Sequence, residues 1–296
     1  MSYAASKRGK ITSKERAALE RERAEAARRA AAARRRRNRI LAWGGGTVAV
    51  ALAVVVTVVQ VQAAQARAAR MGPENMISDG IVFYGDGEGL AALTTEANGP
   101  GTDPAPTGSA RPFGVVDLQV FVDYTDPDAA TFWATNADEI ADRLDAGEAS
   151  VEIHPIAPGP DALAPAAAVA CVAHVSPDDA VTAHAALLEA QDRLADATPA
   201  DLVAILADAG VTADGVADCV TEGRFERWVG EATTRAAAAA LYPALGKVTG
   251  SAVFVLDERY SAEPDDAEAL GAAVDAARTE LGVTDDGEDS FIVPGS

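Results

Sequence analysis

Residues 40–61 form an apolar run without a charged side chain, and this run divides the chain into two parts of opposite charge. Of the 25 basic and 45 acidic residues in the chain, 14 and 4 lie in residues 1–39, which gives that segment a net charge of +10. The remaining 11 basic and 41 acidic residues give residues 40–296 a net charge of −30. A helix of this length reaches about 33 Å, enough to cross a hydrocarbon core of about 30 Å. We therefore predict a single transmembrane helix over residues 40–61.

Five arginines stand directly before this run, at positions 34–37 and 39. Basic residues stay on the cytoplasmic side of a span, so we expect a single-pass protein of the cell membrane with a cytoplasmic N-terminus and an extracytoplasmic main domain. One alternative is a cleaved signal peptide, because Ala64-Gln65-Ala66 resembles a cleavage site. Another is a basic arm for nucleic acid. The length of the run and the position of the arginines favour an anchor in the lipid bilayer and no nucleic-acid partner.

The remaining chain divides by composition. Residues 62–110 are rich in Gly, Pro, Thr and acidic side chains, which is typical of a stalk and linker, with one possible extra strand at Ile81–Tyr84. The complete prediction is a basic cytoplasmic head over 1–39, the transmembrane helix over 40–61, this linker over 62–110, a compact domain over 111–282 and an acidic tail over 283–296.

The compact domain has the patterns of a mixed α/β fold. Apolar residues alternate from Val116 to Val122, as in a buried strand, and a helical pattern follows from Pro127 toward Gly147. A second strand is predicted over residues 150–156. A long helical region comes next, and then a third strand over 252–256, a short fourth strand and a last helix over 264–282. The predicted order is β-α-β, a helical insert over about 157–243, and β-β-α.

Several stretches resemble the membrane-anchored bacterial DsbA-like proteins, which contain a thioredoxin domain. This resemblance implies a thioredoxin-like fold with an inserted helical domain, preceded by a transmembrane helix. It extends over residues 71–281. The stretches that carry it are Met71–Gly80, Val122-Asp123-Tyr124 with Phe132, Glu152–Ala157, Val169–Ala173, Cys219 with Phe225–Val229, and Val248–Val255.

The chain departs from this family at its redox site. The two active-site cysteines of the family fall on Asp126 and Ala129, and its cis-proline falls on Ala252, so we expect a trans peptide bond there. Asp126 and the following Pro127 are typical of a helix N-cap and first helical position. A second hypothesis groups Asp123, Asp126 and Asp128 as ligands of a hard cation.

Cys171 and Cys219 are the only cysteines in the chain. An even cysteine count in an exported domain favours a disulfide, and in related bacterial proteins the helical insert can carry a structural bridge. We predict a structural disulfide between them. Two alternatives stay open: the pair is a redox couple, or Cys171 is a nucleophile activated by the nearby His174.

Two functions follow from these predictions. In the first, the protein has lost disulfide exchange and binds an extracytoplasmic protein or peptide partner, with an exposed Trp133 as a contact; the alternative role of Trp133 is core packing. In the second, it is a thiol-disulfide oxidoreductase or isomerase that uses Cys171 and Cys219. We favour the first, because no thiol stands at Asp126 or Ala129. No metal or phosphate-binding signature occurs, so we expect no cofactor and no metal.

Overall fold

A computed structural model describes residues 20–38, 54, 56–62, 71–85, 89–107, 114–255, 258–260 and 266–283. The chain divides into two compact units, residues 1–65 and residues 66–296. In the first unit, residues 20–38 and 56–62 are helical and exposed. Within the described ranges, no helix is both long and apolar enough to cross a membrane. Residues 40–53 and 55 of the predicted span lie outside these ranges, and so do residues 284–296 of the predicted acidic tail.

The second unit is built around one mixed sheet with the strand order β2-β1-β4-β3-β5-β6. Strands β3 and β4 are parallel, and every other neighbouring pair is antiparallel. The strands are β1 (Ile81–Gly85), β2 (Leu90–Ala92), β3 (Val116–Val122), β4 (Ala149–Pro155), β5 (Ala252–Val255) and β6 (Glu258–Tyr260). The α-helices are α1 (Pro127–Asp145), α2 (Leu163–Val175), α3 (Ala180–Glu189), α4 (Pro199–Asp208), α5 (Val216–Thr221), α6 (Glu226–Ala237) and α7 (Ala267–Glu280).

The predicted order of elements is confirmed from β3 onward. Strand β3, helix α1 and strand β4 form the β-α-β unit, helices α2 to α6 form the insert, and β5, β6 and α7 complete the domain. The insert lies between the end of β4 and the start of β5, as the sequence patterns predict. The fold is therefore a mixed sheet with a helical insertion after its second parallel strand.

The extra strand predicted at Ile81–Tyr84 is confirmed as β1, whereas the linker predicted around it is wrong for the rest of residues 71–107, which belong to the compact unit. Strands β1 and β2 extend the sheet beside β4, and Met76, Ile81 and Phe83 are fully buried. The segment is held by side chains as well: the Asn75 amide donates to the Ala173 carbonyl oxygen at 2.8 Å. Its many glycines and prolines form turns within a packed segment, and their composition alone could not distinguish such turns from a linker.

The two faces of the sheet bury different side chains. Because successive residues of a strand point to opposite faces, Leu118 and Val120 of β3 lie in the main core with Ile153 of β4. Helix α1 packs against β4, and α7 packs against β3 and β5. On the other face, β4 presents Glu152 and His154, both buried. One face is thus an ordinary apolar core, and the other carries buried polar groups.

An ion-pair network joins α1 to α7. Arg143, in the last turn of α1, contacts Glu139 at 2.8 Å, Glu148 at 2.7 Å and Asp275 of α7 at 2.5 Å. Glu148 also pairs with Arg278 of α7 at 3.0 Å. The Arg143 side chain is only 20% exposed, so water screens these contacts less than at an open surface.

We expect Arg143→Met to lower the free energy of unfolding by about 1–2 kcal/mol, because it removes charge-assisted hydrogen bonds between two helices. Arg227→Met is the matched control, since Arg227 makes one exposed pair with Glu231 within a single helix. That variant should lose less than about 0.5 kcal/mol. Urea unfolding measures both, and equal losses would contradict the role given to Arg143.

Candidate functional site

Helix α1 begins with the hydrogen-bonded cap that the sequence predicts. Asp126 has an extended backbone (φ −88°, ψ 116°), and its Oδ1 accepts a hydrogen bond from the Asp128 amide at 3.0 Å. Pro127 occupies the first helical position, where an N–H group would have no partner in the helix. Ala129, one turn into the helix, is buried. The N-cap prediction for Asp126 is therefore confirmed.

The start of β5 lies beside this helix start. Ala252 pairs with Phe121 across the antiparallel β3–β5 ladder, and the Asp123 amide donates to Ser251 Oγ at 3.2 Å. The peptide bond before Ala252 is trans, and no cis peptide occurs in the described part of the chain. The structure thus brings together the two segments that the resemblance assigns to a redox site. Neither segment contains a thiol.

A buried aromatic cluster lies directly beneath the helix start. Tyr124 and His184 are fully buried, and the Tyr124 hydroxyl and His184 Nδ1 share a hydrogen bond of 2.8 Å. Trp133 packs edge-on against the His184 ring at 4.2 Å and is 9% exposed. The prediction of an exposed Trp133 is wrong, because its ring fills the space between α1 and α3. The alternative role of Trp133, core packing, is confirmed.

Burial keeps the Tyr124–His184 pair neutral. Desolvation lowers the pKa of His184 from 6.5 to about 3 and raises the pKa of Tyr124 well above its usual value of 10. His184 belongs to the helical insert and Tyr124 to the turn after β3, so their hydrogen bond ties the insert to the sheet. No pattern around His184 in the alanine-rich sequence indicates this partner.

Cys171 of α2 and Cys219 of α5 form a disulfide with an S–S distance of 2.01 Å and a Cα–Cα distance of 5.7 Å. Their exposed fractions are 0% and 2%, so an attacking thiolate has no open path to either sulfur. His174 accepts a hydrogen bond from the Glu74 amide at 3.2 Å and lies against Phe225. With its sulfur bonded to Cys219, Cys171 is not the nucleophile of a Cys–His pair.

The three aspartates near the helix start do not form a cation site. Asp123 Oδ1 accepts hydrogen bonds from the amide and hydroxyl of Thr125, and Asp126 caps α1. Within the described ranges, no three carboxylate, histidine or cysteine side chains lie close enough to hold a metal ion. The cation hypothesis for Asp123, Asp126 and Asp128 is not supported by this geometry.

A second polar site, which the sequence did not indicate, lies on the opposite face of the sheet. The buried carboxylate of Glu152 accepts hydrogen bonds from Ser78 Oγ, from Thr107 Oγ1 at 3.1 Å and from the Tyr242 hydroxyl at 3.2 Å. His154 Nε2 lies 3.6 Å from Glu152 Oε1. We call these five residues the Glu152 cluster. Hydroxyl groups from three separate segments meet on this one carboxylate.

A narrow apolar cavity adjoins the Glu152 cluster. Its walls include Phe121, which stacks on the His154 ring at 4.3 Å, and Arg235, which forms a bidentate ion pair with Asp79 at 2.6 and 2.7 Å. Gly80 permits this packing, because a Cβ atom there would lie 2.6 Å from His154 Cε1. The cluster and its cavity could bind a ligand through hydrogen bonds and close packing. Among their described residues there is no thiol and no reactive group exposed to solvent.

Comparison of the sequence with family models and with curated proteins finds no match. Among solved structures, BdbD from Bacillus subtilis is 15% identical, with a TM-score of 0.50, over 70% of this chain and 97% of that chain. The MdbA protein of Corynebacterium diphtheriae, a thiol-disulfide oxidoreductase, is 13% identical, with a TM-score of 0.48, over 67% and 93%. DsbA from Mycobacterium tuberculosis is 21% identical, with a TM-score of 0.43, over 60% and 93%. At these identities, the likeness to BdbD establishes a shared DsbA-like thioredoxin fold and no activity.

The Asp126 cap can be tested by two substitutions. We expect Asp126→Ala to lower the free energy of unfolding by about 1 kcal/mol, because it leaves the Asp128 amide without its acceptor. Asp126→Asn keeps an oxygen in the same place and should change the free energy by less than about 0.5 kcal/mol. Urea unfolding compares the two. If the variants lose the same amount, the side chain does not act as a cap.

The neutral His184 makes stability depend on pH. In the unfolded chain the imidazole takes up a proton below pH 6.5, whereas in the folded chain it does so only near pH 3. Its contribution to stability is therefore complete above pH 6.5 and decreases as the pH falls from 6.5 toward 3. Between pH 7 and 5.5, we expect the wild type to lose roughly 1 kcal/mol more than His184→Gln.

His174→Gln is the matched control for this measurement. His174 lies only partly buried at the end of α2, and desolvation lowers its pKa from 6.5 as well. This variant should follow the wild-type pH profile more closely than His184→Gln does. Parallel profiles for the wild type and His184→Gln, measured by urea unfolding, would show that His184 is protonated equally in both states.

Proposed function

We propose that this protein is a membrane-anchored, extracytoplasmic module with a thioredoxin fold that does not catalyse disulfide exchange and instead binds a protein or peptide. The observation that carries the proposal is the start of α1. Asp126 stands there as a hydrogen-bonded N-cap, whereas a thiol would be needed for attack on a disulfide. Both cysteines of the chain are bonded to each other within the helical insert.

The chemistry at the helix start supports this proposal. Disulfide exchange needs a thiolate that forms a mixed disulfide, and a helix N-terminus promotes it by lowering the thiol pKa. The same helix end favours the negative charge of a carboxylate. The positive end of the helix dipole thus stabilises the carboxylate of Asp126, which caps the helix. A carboxylate cannot form the mixed disulfide.

The surface around the helix start is the candidate binding surface. Pro127, Asp128 and Thr131 are exposed there, and Ser251 and Ala252 lie partly exposed beside the turn before α1. Trp133 is buried and is not part of this surface. An extended peptide that contacts this surface would meet carboxylates and backbone groups, and no thiol.

The membrane anchor rests on the sequence. An uncharged run of 22 residues at 40–61 follows five arginines, and the chain after it carries a net charge of −30. These features favour a cytoplasmic N-terminus and an extracytoplasmic thioredoxin domain. The disulfide agrees with that placement, because such bonds persist in oxidising compartments.

The alternative function is a thiol-disulfide oxidoreductase that uses Cys171 and Cys219. One observation favours it: the MdbA protein of Corynebacterium diphtheriae, which is similar in structure, is a thiol-disulfide oxidoreductase. The burial of both sulfurs opposes it, since exchange proceeds by direct attack on a sulfur atom.

Thiol counting paired with an insulin-reduction assay separates the two functions. We expect the native protein to show no reactive thiol and no insulin reduction, and the denatured and reduced protein to show two thiols. The reason is that the Cys171–Cys219 bond is buried and no other cysteine exists. Turnover that disappears in a Cys171→Ala/Cys219→Ala variant would establish the oxidoreductase.

A gain-of-function variant supplies the control. Asp126→Cys/Ala129→Cys places two thiols where a helix N-terminus lowers the thiol pKa, so this variant should reduce insulin measurably faster than the wild type. Asp126→Ser/Ala129→Ser has side chains of similar size without thiols and should stay inactive. If the cysteine variant is inactive, the absence of thiols is not the only reason that this site lacks redox activity.

A further inference from the structure

Residues 238–251 connect α6 to β5 and form a segment that we call the strap. Apart from one 3₁₀ turn at Pro243–Leu245, the strap has no regular secondary structure. It turns at two points with positive φ, Ala239 at 52° and Gly246 at 71°. A side chain at positive φ is unfavourable, so the conformation at Ala239 is maintained by contacts elsewhere in the strap.

The first such contact is polar. The Tyr242 hydroxyl donates to both carboxylate oxygens of Glu152, at 3.2 and 3.3 Å, and so joins the strap to the Glu152 cluster. Tyr242 also lies edge-on to the His154 ring at 5.7 Å. Tyr242 is partly exposed, whereas Glu152 is fully buried.

The second contact is apolar and small. Leu245 and Val248 of the strap pack with Phe121, Ile156 and Phe254 in a hydrophobic cluster that is separate from the main core. The Val248 amide donates to the Ala236 carbonyl oxygen at 3.1 Å. In the part of the chain that the structure describes, this cluster contains five buried side chains, so the strap can open without unfolding the main core.

The end of the strap reaches the start of α1. Ser251, its last residue, accepts the hydrogen bond from the Asp123 amide, and Asp123 in turn fixes the Thr125 amide at 2.9 Å. Thr125 directly precedes the Asp126 cap. The strap therefore contacts the Glu152 cluster through Tyr242 and the candidate binding surface through Ser251.

We infer that the strap is a conformational device that couples the Glu152 cluster to the start of α1. In the closed state Tyr242 bonds Glu152 and Ser251 bonds Asp123. When the strap opens at Tyr242, Leu245 and Val248 leave Phe121, and Ser251 leaves Asp123. The turn from Asp123 to Asp126 then loses its contact with the strap, while the Gln191–Thr125 and Tyr124–His184 hydrogen bonds remain. An event on one face of the sheet thus changes the surface around the Asp123 amide at the end of β3. This inference does not depend on whether the protein binds or catalyses.

Amide hydrogen exchange of the full chain, followed by mass spectrometry, tests the coupling. Tyr242→Phe removes only the hydroxyl, and we expect about tenfold faster exchange in peptides covering residues 238–251, as for the loss of one hydrogen bond. The decisive peptide covers residues 121–128, which contain the Asp123 amide. Its exchange should also become faster, while that of a reference peptide in α2 should not change.

Tyr84→Phe is the matched control, since it makes the same chemical change at a tyrosine of β1 that is 40% exposed. Faster exchange confined to 238–251 in Tyr242→Phe would overturn the coupling. Faster exchange throughout, including α2, would also overturn it, because Tyr242 would then only support global stability. Ser251→Ala provides the reciprocal test: exchange should rise at 121–128 and in the strap, and a rise at 121–128 alone would contradict the inference.

Discussion

The hydrogen bonds on Glu152 organise the side of the domain that has no α1. A carboxylate that is fully removed from water must be compensated by donors, and an uncompensated one would cost several kcal/mol. Glu152 obtains them from Ser78, Thr107 and Tyr242, which come from three distant parts of the chain. The N-terminal segment and the strap are therefore fixed relative to β4 by the needs of one side chain. Replacing this group by an apolar residue would leave three hydroxyl groups to find new partners.

A different solution occurs beneath the helix start. Tyr124 and His184 are also buried, but both are neutral, and one hydrogen bond between them satisfies a group on each side. Above them, Asp126 bonds the Asp128 amide and Ser251 bonds the Asp123 amide. The helix start is thus held by hydrogen bonds from backbone amides to side-chain oxygen atoms, and none of these bonds involves sulfur. That explains physically how the fold is compatible with Asp126 and Ala129 at these positions.

Local patterns in the sequence predicted most of the domain, and long-range contacts account for what they missed. The alternation in β3 and the Asp126-Pro127 cap are properties of neighbouring residues, and both were predicted correctly. The Ser78–Glu152, Tyr242–Glu152 and Tyr124–His184 bonds join residues 74, 90 and 60 positions apart, and no local pattern encodes such pairs. The buried state of Trp133 has the same origin, since its partner belongs to the helical insert. In the segment 71–107 the apolar run of β1 was predicted, and the packing of the rest was missed because its turns have the composition of a linker.

The disulfide makes the helical insert independent of the chemistry at the helix start. Helix α2 is buried along most of its length and consists mainly of small residues, whose packing supplies little apolar area per residue. The Cys171–Cys219 bond joins this helix to α5 across a separation of 48 residues and stabilises the folded state by about 4 kcal/mol on a chain-entropy argument. Thiols at positions 126 and 129 would contribute nothing to that stabilisation. A chain with this insert can therefore keep its fold and its surface while the start of α1 carries a carboxylate, and the requirement for a thiol applies only to catalysis.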